Sequence, residues 1–67
     1  MQIFSDRLKG LRNAQKRSQK ELAELLGVTV RSYQYYEGGS YEPSYDRLVL
    51  LAKHLKVSTD YLLGLKN

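Results

Sequence analysis

The stretch GVTVRSYQYYEGG, Gly27 to Gly39, gathers three tyrosines, an arginine and a glutamine. Its meaning depends on which side chains share a face. With Val30 to Glu37 on a helix at about 100° per residue and Tyr33 set to zero, Tyr36 falls at about −60° and Glu37 at about +40°. Thr29 is suited to cap such a helix, and Val28 and Tyr33 have the spacing of a hydrophobic staple around it. Tyr33 and Tyr36 are therefore assigned to the core. On the same count Arg31 lies at about 160° and Tyr35 at about 200°, facing away, with Ser32 and Gln34 on their flanks. Val30 projects from the first turn.

The outward set carries the chemistry of a base reader. Arg31 can donate two parallel hydrogen bonds to guanine O6 and N7, Gln34 can pair with adenine N6/N7 or hold a phosphate, and Val30 can meet a thymine methyl. Tyr35 can pack its ring on a base edge or deoxyribose. The plainer reading is a solvated face on which Arg31 and Gln34 only keep the helix soluble, although such a face seldom carries a tyrosine.

Outward from this stretch, helix signals recur with caps in place. Phe4, Leu8 and Leu11 form one stripe of a first helix over roughly Ile3 to Gln15. Ser18 and Glu21 are spaced as a capping box, followed by Leu22, Ala23, Leu25 and Leu26, and Gly27 stops the second helix. The run Glu37 to Pro43, EGGSYEP, ends the third. Ser44 caps a fourth, with Leu48, Leu51, Ala52 and Leu55 on one face. Val57, Ser58 and Asp60 open a fifth, where Val57 and Leu62 are again spaced as a staple. Only Gly27, Val28 and Thr29 separate the second and third helices, a turn that suits a helix-turn-helix; an ordinary αα-hairpin is the other arrangement. The fold class expected is all-α, a compact five-helix bundle with a helix-turn-helix, one domain over residues 1–67.

Composition narrows the function classes. A chain of 67 residues buries a modest core, and without cysteine it has neither disulfides nor a thiolate metal site. No metal and no cofactor are expected, and His54 is read as a packing or surface histidine. Eleven Lys and Arg against seven Asp and Glu, net +4, favour a polyanionic partner. No signal peptide and no apolar run approaching the ~20 residues of a membrane span are present, so a cytoplasmic protein with no membrane partner is expected. An enzyme is the weakest reading, because nothing positions a base beside a nucleophile.

Ser18 to Gly64, SQKELAELLGVTVRSYQYYEGGSYEPSYDRLVLLAKHLKVSTDYLLG, resembles the Cro/CI-type (Xre-like) helix-turn-helix domain of phage repressors and bacterial regulators, the lambda repressor-like fold. Phe4 to Arg12 is similar to that family's first helix. The resemblance implies that Val30, Arg31, Gln34 and Tyr35 read bases in the major groove. It implies phosphate contacts from Ser18, Gln19, Ser32, Gly39, Ser40 and Tyr41, with Gln19 also bracing the recognition helix. It further implies double-stranded DNA as partner, a sequence-specific transcription regulator, most simply a repressor, and a homodimer on a palindromic operator. Tyr33 departs from the aliphatic residue more usual there and needs space and a partner for its hydroxyl. The paired glutamines of the best-known phage examples are missing, so their operators do not transfer.

Dimerisation is expected through the last helix and exposed leucines among Leu62, Leu63 and Leu65, which read equally well as core. The alternative function is a protein-interaction module of the same fold, an antitoxin or a transcriptional bridging factor with a protein partner, in which Tyr35 and Tyr41 would be contact residues.

Overall fold

A computed structural model describes residues 2–66; Met1 and Asn67, at the ends of the expected 1–67 domain, lie outside the described residues. Five helices follow one another: α1 (Gln2–Ala14), α2 (Gln19–Leu26), α3 (Val30–Gly38), α4 (Tyr45–Leu55) and α5 (Thr59–Leu63). No strand occurs among the described residues, and no helix is long and apolar enough to cross a membrane.

Local chemistry sets most of the boundaries. Ser18 accepts from the Glu21 amide while the Glu21 carboxylate accepts from the Ser18 amide, so the expected capping box is complete. Gly27 closes α2 at φ 71° and ψ 31°, and the Val28 amide reaches back to the Ala23 carbonyl at 3.0 Å. Thr29, Ser44 and Ser58 cap α3, α4 and α5 in the same manner as Ser18, each side-chain oxygen accepting from the amide three residues on. The three residues between α2 and α3 thus hold one helix's stop signal and the next one's start.

α1 starts and ends one residue earlier than its apolar stripe suggests. Lys16 takes a left-handed conformation at φ 56°, which turns the chain. Gln15, outside the helix, donates its side-chain Nε2 to the Leu55 carbonyl at 2.9 Å. α4 ends with a left-handed residue that is not glycine, Lys56 at φ 60°.

One core collects a face from every helix: Phe4 and Leu8 of α1, Leu22 and Leu26 of α2, Tyr33 and Tyr36 of α3, Leu48, Leu51 and Leu55 of α4, and Leu62 of α5. α3 is held between α1 and α2, α4 packs on α2 and α5, and α5 returns to α1. Val28 and Val57 pack on the edge of the core, as staples should. The C-terminal leucines divide. Leu62 is fully buried and Leu63 packs half-buried against the core, leaving only Leu65 exposed. Of the two readings of these leucines, core holds for Leu62, the staple partner of Val57, and exposure for Leu65 alone of the three.

Candidate nucleic-acid interface

α3 presents two faces. Tyr33 and Tyr36 are buried, their rings edge to face with centroids 6.3 Å apart, and Arg31 and Gln34 are exposed on the other side. Val30 is partly exposed at the first turn, 38% of its surface being accessible. Tyr35 is intermediate, because Tyr41 from the following loop covers one side of it at 4.7 Å between ring centroids. Arg31 Nε donates to the Tyr35 hydroxyl at 3.1 Å, one turn along the same helix. The residues expected to read bases therefore do share one surface.

Behind this surface lies a polar chain that joins three helices. Arg12 of α1 grips Glu37 of α3 with two hydrogen bonds, Nε to Oε2 at 2.5 Å and Nη2 to Oε1 at 3.2 Å. Its third nitrogen donates to the Arg17 carbonyl at 2.9 Å. Gln19, the first residue of α2, donates to the same Glu37 carboxylate at 3.2 Å and accepts from Gln34 at 3.0 Å. Gln19 thus does brace α3. Burial alone would raise the Glu37 carboxyl, but hydrogen bonds from its neighbours, Arg12 foremost, hold it below the usual carboxylate range. The bond to Glu37 correspondingly raises Arg12.

Tyr33 adjoins this pair from the core side. Its buried hydroxyl makes no aligned hydrogen bond, yet burial first, and then the Glu37 carboxylate, push the phenol well above its ordinary value. The hydroxyl is near the ion pair without being well directed at it, and the partner that a tyrosine here needs is only partly supplied.

Glu37 and Arg12 were not read as a site from the sequence. The helical count put Glu37 on the inner side of α3, and a carboxylate on an inward face demands a cation; that was the available signal.

The residues expected to meet phosphates lie on both sides of the exposed α3 face. Ser18 and Gln19 stand at the N-terminus of α2, where free amides and the helix dipole attract anions, although Glu21 offsets part of that field. Ser32, Ser40 and Tyr41 line an open groove together with Thr29, Ser44 and Arg47. The Ser32 hydroxyl is oriented by a bond from Thr29 at 3.0 Å. In the loop after α3, the amides of Gly39, Ser40 and Tyr41 all turn back to the carbonyls of Tyr35 and Tyr36. Any anion on this loop would accordingly meet the hydroxyls of Ser40 and Tyr41 rather than these amides. Arg47 was missed by sequence reasoning. A cation in the first turn of a helix opposes the dipole, and that odd placement was its signal.

Two capped helices across a three-residue turn, with a polar outer face on the second, define an all-α helix-turn-helix domain. The chain belongs to the helix-turn-helix family, whose model matches residues 8–62. It is 44% identical over 63 residues to the uncharacterized HTH-type transcriptional regulator YobD of Bacillus subtilis, covering 94% of this chain and 56% of that protein. It is 36% identical over 61 residues to the cryptic phage CTXphi transcriptional repressor RstR of Vibrio cholerae, covering 91% of this chain and 54% of the repressor. The HTH-type transcriptional regulator ImmR of Bacillus subtilis is 41% identical over 58 residues, 87% of this chain and 46% of the relative. The chain spans about half the length of these curated relatives. The Cro/CI-type resemblance of Ser18 to Gly64 is borne out.

Proposed function

We propose that this chain is the DNA-binding unit of a transcription regulator, a single domain over residues 1–67 that reads operator half-sites in the major groove with α3. The observation that carries the reading is the division of α3: Tyr33 and Tyr36 are spent on the core, and Val30, Arg31, Gln34 and Tyr35 stand together outside it. Arg31 contacts guanine, Val30 packs on a thymine methyl, and Gln34 and Tyr35 serve the neighbouring bases. Ser18 and Gln19 on one side, and Ser32, Ser40 and Tyr41 on the other, contact the phosphate backbone, with Gly39 shaping the loop that carries the last two. The regulator acts in the cytoplasm by occupying its operator and excluding polymerase, with no chemistry of its own. The name of RstR supports a repressor, and those of YobD and ImmR support a transcription regulator.

The described residues measure 28 × 23 × 19 Å, less than the ~34 Å between successive turns of one groove. One copy therefore covers one half-site, which supports a homodimer on a palindrome.

Selection of duplexes from a random pool tests this. Enrichment of a palindrome with half-sites one turn apart is expected, with Arg31→Ala weakening the winner by about 1–3 kcal/mol at one guanine. About four to six phosphate contacts per half-site would make affinity fall steeply with salt. Weak, salt-sensitive binding without any enriched sequence would sink the proposal and turn the search to a protein partner on the same face.

A further inference from the structure

We propose that Tyr35 and Tyr41 are positioning residues for Arg31: together they hold its guanidinium ready before any base is met, so that discrimination at the Arg31 base pair depends on a residue outside α3. The inference rests on the proposed base-reading role of α3 and assigns Tyr35 and the Tyr41 ring a different task within it.

Three observations carry it. First, Arg31 Nε donates to the Tyr35 hydroxyl at 3.1 Å, and the guanidinium carbon stands 5.9 Å from the centre of the Tyr35 ring. This bond consumes the side edge of the guanidinium and leaves the terminal Nη1/Nη2 edge for an acceptor pair, the geometry a guanine offers. Second, the Tyr35 ring is itself held, packed against Tyr41 at 4.7 Å with a tilt of 55°. Third, Tyr41 is not a loosely placed loop residue. The amides of Ser40 and Tyr41 both donate to the Tyr35 carbonyl, at 3.0 and 3.3 Å, so backbone and ring tie the loop to the same residue.

An arginine on an open helix face normally samples many rotamers and loses that freedom on binding. Here part of the ordering is complete in the free protein. The device favours discrimination more than general affinity, because only a correctly directed fork distinguishes guanine from adenine. The Tyr41 hydroxyl plays no part in it, so a phosphate contact by that group remains compatible.

The experiment starts from the duplex that wild-type protein selects from a random pool. Each base pair of a half-site is changed in turn, and the affinities of wild type, Arg31→Ala, Tyr35→Phe, Tyr41→Ala and Tyr41→Phe are measured for every duplex at fixed salt, and for the selected duplex at several salt concentrations. Thermal unfolding of each variant checks the fold. The base pair at which Arg31→Ala abolishes preference marks the arginine's target, where wild type should discriminate by about 5- to 150-fold. Tyr35→Phe, which keeps the ring and loses the acceptor, and Tyr41→Ala, which loses the ring, should each reduce discrimination at that same base pair by about three- to tenfold. Neither should change the salt slope. Tyr41→Phe should keep wild-type discrimination at that base pair, any lost phosphate contact weakening every duplex alike.

Full discrimination in Tyr35→Phe or Tyr41→Ala would overturn the inference while leaving base reading by Arg31 intact. Loss confined to a different base pair, with discrimination at the Arg31 base pair intact, would also overturn it, showing that Tyr35 only reads a base directly. A wild-type protein that selects no sequence would remove the underlying reading as well.

Discussion

Glu37 does the most of any single residue to tie the outer face to the interior. Its side chain and that of Arg12 are 5% and 13% accessible, so removing one partner strands a largely desolvated charge. Glu37→Gln is expected to lower stability by about 2–3 kcal/mol, read in thermal melts as a fall of roughly 10–20 °C for a domain this small. The same residue sets an acid limit. Its carboxyl is depressed in the folded chain, and the unfolded chain has the ordinary value of about 4.3, so as pH falls the unfolded state takes up the proton first. Glu37's contribution is therefore present above the ordinary value and lost as pH drops through the folded one. Urea midpoints measured from about pH 6 to pH 3 should fall more steeply for wild type than for Glu37→Gln. Parallel curves would mean that Glu37 is not the group responsible.

At the scale of the element, the left-handed helix ends separate two kinds of backbone cost. Lys56 closes α4 at φ 60°, a conformation that disfavours a side chain, so Lys56→Gly should raise stability by about 0.5–1 kcal/mol. Gly64 closes α5 at φ 80°, and a Cβ there would stand 2.7 Å from Ile3 Cγ2. Gly64→Ala meets strain and collision together and should cost about 2 kcal/mol or more, detectable in denaturant titration. These helix ends also show what a sequence can reveal. Ser18 with Glu21, Thr29, Ser44, Ser58, Gly27 and both staples were legible because their partners lie within five residues. Lys56 was not, since a lysine gives no sign of a left-handed turn. The Arg12–Glu37 pair was not, since 25 residues separate its members and only the packing of α1 on α3 joins them. Leu62 was ambiguous for a related reason: a leucine near the end of a chain is core or surface according to whether α5 folds back on α1. The exposed α3 face was legible from periodicity, whereas the bond from Arg31 to Tyr35 needed rotamers that no spacing specifies.

Across the whole molecule, one arginine reinforces the packing of α1 on α5. Arg7 of α1 lies over the Tyr61 ring at 4.3 Å and donates to the carbonyls of Tyr61 and Lys66, both at 2.6 Å. The first helix thereby holds the C-terminal segment against itself. Arg7→Ala should lower stability by about 1–2 kcal/mol through lost stacking and lost bonds to these carbonyls. Because one core takes a face from every helix, unfolding should remain a single transition, with circular dichroism and tyrosine fluorescence coinciding. An early, separate loss of the α5 signal would show instead that the C-terminal helix is an independent unit.

The partition of α3 has a consequence for how such a chain could diversify. Val30 and Arg31 carry no bond to another helix, whereas Gln34 belongs to the chain through Gln19 to Glu37 and Arg12. The first two letters of the reading face can be rewritten without disturbing the scaffold, and the third cannot. New operators would thus be acquired from the front of the helix backwards, each change inheriting a fold already secured behind it.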